Sequence, residues 1–226
     1  KERHNCLFQD FRPILQIINY REIAMTAASK PWNKHRIIGQ KRPLKISHIW
    51  GIRIRLRMED NKRDLALFNM ALDSKLRGCD LVKLLVSDVM SGGAVMRRAL
   101  VTQQKTGSPV QFEITEGTRK SVLDWINFKG LNYSSYLFPS AKVLGEHICT
   151  RQNNRIFHGW IEKLGLDPTL YSTHTMRRTK AYLIYKKTKN LRVVQLLLGH
   201  KKLESTVKYL GIEVDDALDI AESLDI

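Results

Sequence analysis

Apolar residues recur with a helical period along most of the chain. Leu65, Phe68, Leu72 and Leu76 are spaced so that they share one face of a helix, which predicts a helix over residues 63–76. Glycine follows several such segments, as is common where helices end. The pattern therefore predicts a mainly helical protein, with further helices over residues 79–84, 118–128, 151–164, 174–187 and 191–198 and a short one at residue 209.

One segment fits two secondary structures. From Ile52 to Met58, apolar residues alternate with arginines, which is the pattern of a half-buried strand. However, Ile49, Ile52 and Leu56 also form a stripe on one face of a helix, and the segment begins shortly after Pro43, where a helix start is plausible. The pattern alone does not decide between the two structures.

A region of period-two pattern interrupts the helices between residues 89 and 114. Turn signals occur at Gly92-Gly93 and at residues 105–108, the second between apolar stretches at residues 100–102 and 110–112. This arrangement predicts a small antiparallel sheet of about three strands. The expected fold class is therefore mixed α+β, mainly α-helical, with a small three-stranded antiparallel sheet.

The charge balance indicates a polyanionic binding partner. The 226 residues include 38 Lys and Arg but only 22 Asp and Glu, a net charge of +16. This excess favours nucleic acid or an anionic membrane surface as a partner. No apolar run approaches a membrane span and no signal segment is evident, so a cytoplasmic protein is expected. The scattered Cys6, Cys79 and Cys149 are predicted to be reduced thiols, not disulfides or zinc ligands.

The residues with the most chemistry lie between His174 and Tyr209. His174 and Arg177 are three positions apart, so they share one face of a helix. A Leu-Gly-His sequence follows at residues 198–200, and Tyr209 comes nine positions after its histidine. Histidine can move protons near neutral pH, arginine can neutralise phosphate oxygens, and a phenol can act as a nucleophile. The combination indicates phosphoryl transfer.

These residues resemble the signature of the tyrosine recombinase (phage integrase) family, which is His-x-x-Arg, then Leu-Gly-His, then a nucleophilic tyrosine. The resemblance covers about residues 43–211 and implies the catalytic-domain fold of that family, which opens with a helix at the segment of ambiguous pattern. It also implies an arginine box, which residues 74–81 match through Arg77, with Asp80 orienting the guanidinium. A lysine on a β-hairpin turn is implied as well, and Lys105 occupies such a turn.

The resemblance implies a role for each of six residues. Two arginines bind the scissile phosphate, one histidine moves protons and another donates a hydrogen bond to the phosphate. A lysine protonates the leaving 5′ oxygen, and a tyrosine forms a 3′-phosphotyrosyl link without metal or ATP. The implied residues are Arg77 and Arg177 as the arginines, His174 and His200 as the two histidines, Lys105 as the lysine and Tyr209 as the nucleophile.

The N-terminal segment is expected to contact DNA. Residues 1–42 read as an N-terminal extension and basic linker, ahead of a catalytic domain over residues 43–211. Most members of the resembling family carry a separate helical domain there, which closes around DNA as a clamp opposite the catalytic domain. In this chain the clamp is expected to be absent, reduced to this basic arm, or supplied by an accessory DNA-binding protein. The basic residues expected on the DNA backbone are Lys30, Lys34, Arg36, Lys41, Arg42 and Arg178.

The C-terminal tail, residues 212–226, is acidic and is predicted to be an amphipathic helix. Val214, Ala217, Leu218 and Ala221 form its apolar stripe. In the resembling family, the segment after the nucleophile packs into a neighbouring subunit or back onto its own. The tail is therefore expected to support a homo-oligomer, a dimer or tetramer, on double-stranded DNA.

The leading interpretation is a bacterial site-specific recombinase or integrase, from a phage or mobile element, that cleaves and rejoins DNA. Two alternatives stay open. One is a type IB topoisomerase, which shares much of this chemistry but relaxes supercoils. The other is a DNA-binding regulator that has the same fold and performs no reaction.

Overall fold

The computed structural model describes residues 41–210 and Glu222. The chain divides into Lys1–Gly39 and Gln40–Ile226, and every described residue belongs to the second unit. The apolar stripe predicted for the acidic tail lies outside the described residues, as do three of the basic residues predicted to bind DNA, which are Lys30, Lys34 and Arg36.

The segment of ambiguous pattern is a helix, α1 (Ile46–Met58). The three residues of its helical stripe are buried, whereas Ile54 and Met58 are more than half exposed. A strand would have buried alternate residues, but α1 packs one face on α2 (Lys62–Ser74). The helix implied by the family resemblance is confirmed.

Helix α2 crosses the centre of the main core. Asn61 caps its start by accepting a hydrogen bond from the backbone N–H of Asp64 (3.1 Å). Every residue from 66 to 74 is buried, because α1, α5 (Glu116–Lys129) and α7 (Thr173–Thr188) surround the helix. The apolar turn at Leu137 and Phe138 fills the same core, with both side chains fully buried.

The end of α2 differs from the predicted one. The helix stops at residue 74 instead of 76, and Lys75 takes the left-handed conformation (φ 53°) that glycine usually supplies at a helix end. Two short helices follow, α3 (Gly78–Val82) and α4 (Val86–Val89). The sharp turn at Lys75 thereby places the start of α3 close to the end of α2.

Two short antiparallel sheets form where one three-stranded sheet was predicted. Strand β1 (Met90–Ser91) pairs with β2 (Ala94–Val95), and β3 (Arg98–Thr102) pairs with β4 (Pro109–Glu113). The chain bends at Arg97, between β2 and β3. Because of this bend, β1 and β4 pair with different parts of one extended stretch, and no residue of the stretch pairs with both. The mainly helical α+β class and the antiparallel pairing are confirmed.

The C-terminal part of the domain consists of α6 (Thr150–Lys163), α7, α8 (Leu191–Leu198) and α9 (Leu203–Leu210). Apolar residues of the last three helices form a second, smaller core. Tyr209 packs partly against this cluster, so the position of its helix depends on α7 and α8. The buried members of the small core are Ala181, Tyr185, Val194, Leu198 and Leu210.

The described residues also bear on membrane spans, metal sites and thiols. None of the described helices is long and apolar enough to cross a membrane. Across residues 41–210, no group of three or more His, Cys, Asp or Glu side chains is placed to hold a metal ion. Cys79 and Cys149 are free thiols, as predicted, and Cys6 lies outside the described residues.

A network of ion pairs joins α2, β4 and α7. Lys75 is fully buried, and its ammonium group donates to both carboxylate oxygens of Glu113 (2.9 and 3.0 Å). Lys180 bridges Glu113 (2.7 Å) and Asp73 (2.6 Å). Asp73 also accepts hydrogen bonds from the backbone N–H and hydroxyl of Thr115 (2.8 and 2.6 Å). Burial alone would raise the pKa of Asp73, but Lys180 and the hydrogen bonds outweigh it and lower that pKa.

Replacing Asp73 by Asn should lower the free energy of unfolding by about 2–3 kcal/mol near pH 7, because Lys180 loses a buried carboxylate partner. The loss should shrink near pH 3. Since the folded pKa of Asp73 is lowered, its contribution is present above the unfolded value of about 3.9 and disappears as the pH falls through the folded pKa.

Urea unfolding at both pH values measures this difference. The matched control is Asp60→Asn, which breaks a pair with Lys62 in which the Asp60 side chain is 78% exposed. It should cost less than about 0.5 kcal/mol at either pH. An equal loss from Asp73→Asn at both pH values would contradict the account of the network.

Candidate active site

Arg77 stands at the start of α3, just after the left-handed turn that ends α2. Its guanidinium donates to the side-chain oxygen of Gln103, a fully buried residue that also accepts from the Thr106 hydroxyl (3.2 Å). The Gln103 amide nitrogen reaches the carbonyl of Leu198 at the end of α8 (3.5 Å). Gln103 therefore joins Arg77 to the β3–β4 hairpin and to α8. Sequence analysis missed it, because a glutamine after a strand carries no signal of its own.

Asp80 is buried, but it does not pair with Arg77 as the resemblance implied. One carboxylate oxygen accepts a hydrogen bond from the backbone N–H of Gln104 (3.0 Å), and the other is buried without a hydrogen-bond partner among the described residues. Asp80 therefore holds the turn that carries Lys105. The difference arises because the β3–β4 turn folds over α3, and Gln103 takes the place at the guanidinium.

Lys105 lies exposed in the turn between β3 and β4, where it was predicted. Hydrogen bonds close this turn, from the N–H of Gly107 to the carbonyl of Gln103 (2.8 Å) and from the N–H of Gln103 to the carbonyl of Ser108 (3.0 Å). The charge of Lys105 acts on His174, so the turn lies within electrostatic reach of α7. The ammonium group is thus free to meet a ligand that approaches from solvent.

Arg177 is the most deeply buried cation of the predicted set, with 2% of its surface exposed. One guanidinium nitrogen donates to the carbonyl of Lys75, at the end of α2, and the other to the carbonyl of Leu198, at the end of α8 (2.8 Å). These two carbonyls are free because each ends a helix. Arg177 therefore ties two helix ends together and still has N–H groups left for a phosphate.

His174 lies in the first turn of α7, with its side chain exposed toward the site. Partial desolvation, followed by the positive charges of Arg177, Arg178 and Arg77, lowers the pKa of its imidazole. The ring is therefore mainly neutral near pH 7, and a neutral imidazole can accept a proton.

His200 follows Gly199, which ends α8 in the left-handed conformation (φ 65°). A side chain at Gly199 would come within 2.5 Å of Val110 on β4, so only glycine allows this close approach. Nδ1 of His200 lies 3.1 Å from the hydroxyl of Thr206, and the buried side chain of Gln195 donates to the His200 carbonyl (3.0 Å). Burial, then the charges of nearby arginines, lowers the pKa of His200 to about 4.

Tyr209 on α9 lies among these groups. The His200 ring meets it edge-on, with centroids 5.5 Å apart, and the Arg177 guanidinium carbon is 5.9 Å from the tyrosine ring centre. The hydroxyl oxygen is buried, and the guanidinium of Arg177 is the hydrogen-bonding group that acts on it, although no described residue meets it at ideal hydrogen-bond geometry. Burial raises the pKa of the phenol, and the charges of Arg177, Arg178 and Arg77 oppose that rise.

The described residues predicted to bind DNA do not all lie on the surface. Arg178 is 9% exposed; its guanidinium donates to the carbonyl of Lys41 and lies over the Tyr209 ring. Arg178 therefore lies inside the site, because its position on α7 points it at α9, and its predicted contact with DNA stays a prediction. The Lys41 side chain folds onto the carbonyl of Thr169, whereas Arg42 is exposed.

The structure brings the six predicted residues into one site. Charges of Arg77 and Arg177 act on His174, His200 and Tyr209, and the charge of Lys105 acts on His174. Three cations with two neutral imidazoles can stabilise a phosphate that gains negative charge, while the phenol supplies an oxygen nucleophile. The arrangement suits phosphoryl transfer to a tyrosine.

His200 should titrate with a midpoint of about 4 in the free protein. The ring is buried beside cations, so protonation is disfavoured in the folded state. Histidine NMR titration measures the midpoint, and His200→Gln identifies the signal. Since the folded pKa is lowered, protonation of the unfolded chain should reduce stability as the pH falls from about 6.5 toward the folded value. A midpoint near about 6.5 would contradict this electrostatic setting.

Comparison with known proteins identifies the family of the chain. The phage integrase family model matches residues 53–214. The probable integrase/recombinase YoeC of Bacillus subtilis is 30% identical over 158 residues, covering 70% of this chain and 82% of YoeC. The tyrosine recombinase XerC of Erythrobacter litoralis is 30% identical over 153 residues, covering 67% of this chain but only 47% of XerC.

A solved structure shares the fold. The crystal structure of the XerH site-specific recombinase bound to its difH substrate superposes with a TM-score of 0.64 at 17% identity, covering 82% of this chain and 55% of XerH. The chain thus spans about half the length of several relatives it matches. The chain belongs to the phage integrase family and carries a tyrosine recombinase catalytic domain.

Proposed function

We propose that this domain is the catalytic part of a site-specific recombinase that cleaves and rejoins double-stranded DNA through Tyr209. The observation that carries the proposal is the convergence of Arg177, Arg77 and His200 on the buried Tyr209 phenol. Groups that bring positive charge and hydrogen-bond donors to one point can hold a scissile phosphate beside the phenol oxygen.

The proposed reaction transfers one phosphoryl group of the DNA from a 5′ oxygen to the oxygen of Tyr209. The Tyr209 oxygen attacks phosphorus, and its proton passes to the neutral imidazole of His174. The bond from phosphorus to the 5′ oxygen breaks, and the Lys105 ammonium gives that oxygen its proton. The products are a 3′-phosphotyrosyl link and a 5′ hydroxyl, so attack by a 5′ hydroxyl reverses the step and rejoins DNA.

The other residues bind the phosphate as it gains charge. Arg177 has N–H groups left beyond its two carbonyl partners, and Arg77 lies across the site on α3. We propose the tautomer in which Nδ1 of neutral His200 accepts from the Thr206 hydroxyl, so that Nε2–H is a third donor to the phosphate. These donors are held in place before the reaction, so little reorganisation opposes catalysis.

Double-stranded DNA is the proposed substrate. The chain carries a net charge of +16, and the Tn1549 transposon integrase, which shares the fold, was solved in complex with transposon right end DNA. Exposed Arg42 next to the site, together with Lys30, Lys34 and Arg36, would extend the contact along the backbone. Within this reading, a phage or other mobile element is the proposed source, since YoeC is named as a probable integrase.

Assembly on DNA is proposed to use the acidic tail. A cavity of about 400 Å³ lies between α1, α2 and α7, lined by Leu72, Leu183 and Ile184 and bordered by the cations Arg53 and Lys187. The predicted tail helix has a matching apolar stripe and six acidic residues. Docking of one subunit's tail into a neighbour's cavity would link subunits into a dimer or tetramer.

Tyr209→Phe should abolish covalent capture of DNA, by at least about a thousandfold, since the nucleophilic oxygen is removed. The measurement uses a nicked suicide substrate carrying a site selected from a randomised library, with the adduct resolved on a denaturing gel. Tyr182→Phe, a partly buried tyrosine on α7, is the matched control and should retain capture.

Three other results would overturn the proposal. Capture by Tyr209→Phe would place the nucleophile elsewhere. Relaxation of plasmids without any selected site would favour a topoisomerase. DNA binding that Tyr209→Phe leaves unchanged, with no cleavage by the native protein, would favour a regulator.

Deletion of residues 212–226 should reduce the number of subunits on DNA while leaving covalent capture at single sites. Mass photometry on DNA with two adjacent sites measures the stoichiometry. Lys187→Glu, which reverses a charge at the cavity border, should weaken assembly in the same direction. Unchanged stoichiometry in the deletion variant would rule out a role for the tail between subunits.

A further inference from the structure

Arg178 occupies a position that the proposed reaction does not explain. Its guanidinium carbon lies 4.9 Å from the centre of the Tyr209 ring, closer than that of Arg177 at 5.9 Å. A cation at this distance over an aromatic face is attracted by the ring, and more strongly where water is excluded. Arg178 is 9% exposed, so most of its surface is shielded from water.

The two neighbouring arginines of α7 serve different partners. Arg177 uses its guanidinium on the carbonyls of Lys75 and Leu198, which fixes it to the backbone of the site. Arg178 donates to the carbonyl of Lys41, and its Nε is buried without a hydrogen-bond partner among the described residues. Within residues 41–210, the ring of Tyr209 and this carbonyl are the contacts that set the direction of the Arg178 guanidinium.

The carbonyl that holds Arg178 belongs to a segment that is itself fixed. The N–H of Arg42 donates to the carbonyl of Leu170 (3.1 Å), and the N–H of Leu44 donates to the hydroxyl of Thr179 on α7 (2.9 Å). This anchoring keeps the Lys41 carbonyl beside α7. The guanidinium is consequently fixed at one end by the chain before α1 and rests at the other on the tyrosine ring.

We propose that Arg178 is a positioning residue for the nucleophile, holding the Tyr209 ring by a cation–π contact while the carbonyl of Lys41 holds its guanidinium. This inference rests on Tyr209 being the nucleophile. It adds to the DNA contact predicted from the sequence, because the guanidinium lies over the phenol ring. It also makes the chain segment before α1 a support of the active site.

The charges that face Tyr209 determine how a change at Arg178 should alter the pKa of the phenol. The ring faces Arg177 and Arg178 from α7, His200 from the turn after α8 and Arg77 from the start of α3. His200 is neutral above about pH 4, so near neutrality the facing charges are those of the three arginines. Removing the charge of Arg178 should therefore raise the pKa of the phenol further.

Two substitutions separate charge from hydrogen bonding. Arg178→Gln keeps a planar amide that can donate to the Lys41 carbonyl but removes the charge, whereas Arg178→Lys keeps the charge. We expect Arg178→Gln to slow single-turnover covalent capture about tenfold or more near pH 7, with the deficit shrinking as the pH rises. DNA affinity should stay within about twofold of the native value, and Arg178→Lys should keep the native pH profile.

A second readout requires no DNA. In protein labelled with carbon-13 at the tyrosine Cζ, the Tyr209 signal is the one lost in Tyr209→Phe, and its NMR titration gives the phenol pKa. Arg178→Gln should raise that pKa and Arg178→Lys should leave it close to native. Arg57→Gln, at an exposed arginine near the end of α1, is the matched control and should change neither readout.

Several outcomes would overturn the inference. Native capture and an unchanged phenol titration in Arg178→Gln would remove the contact from the mechanism. A loss of DNA affinity that accounts for the whole loss of capture would make Arg178 a phosphate contact. Equal, pH-independent losses in both variants would make it purely structural. Should Arg178→Gln fail to fold, Arg178→Lys decides: a native pH profile supports the inference, and a profile shifted to higher pH overturns it.

The inference and the proposed function fail in different ways. If the native protein forms no covalent complex with any DNA, the recombinase proposal fails. The NMR comparison in the free protein still decides whether Arg178 acts on Tyr209.

Discussion

The buried guanidinium of Arg177 is the interaction on which the site depends. It joins the carbonyl of Lys75 at the end of α2 to that of Leu198 at the end of α8. A buried charge is tolerated only where such partners satisfy it, so these helix ends must lie where they do. Arg77 follows the first of them by two residues and His200 follows the second by two. The spacing of the catalytic groups thus follows from one hydrogen-bonded cation.

The same cations determine the protonation states of the other groups. Burial and nearby arginines lower the pKa of both His174 and His200, so the imidazoles are neutral where a proton must be accepted or a hydrogen bond donated. Burial raises the pKa of Tyr209, and the arginines limit that rise. A phosphate entering the site would add negative charge that these cations are already placed to neutralise.

The sequence predicted the features that short segments encode, and it missed those that depend on contacts between distant segments. The helices carry periodic apolar faces, so the sequence predicted them. Arg177, His200 and Tyr209 lie in a motif with fixed spacing, so the sequence also predicted that they lie close together. Gln103 and the Lys75 carbonyl act only through contacts made after folding. The contact between Arg178 and Tyr209 was not predicted, because it forms only when α9 packs against α7. The bend at Arg97 divides the predicted three-stranded sheet into two two-stranded sheets. The apolar pattern carries no signal for this bend, so the sequence did not predict it.

The most direct test of the account is to identify the residue that becomes joined to DNA. After capture on a suicide substrate, protease digestion and mass spectrometry locate the modified peptide. The account predicts a single adduct, in which the 3′ phosphate of the cleaved strand is esterified to the oxygen of Tyr209. An adduct on another residue, or on the 5′ end of the strand, would contradict it.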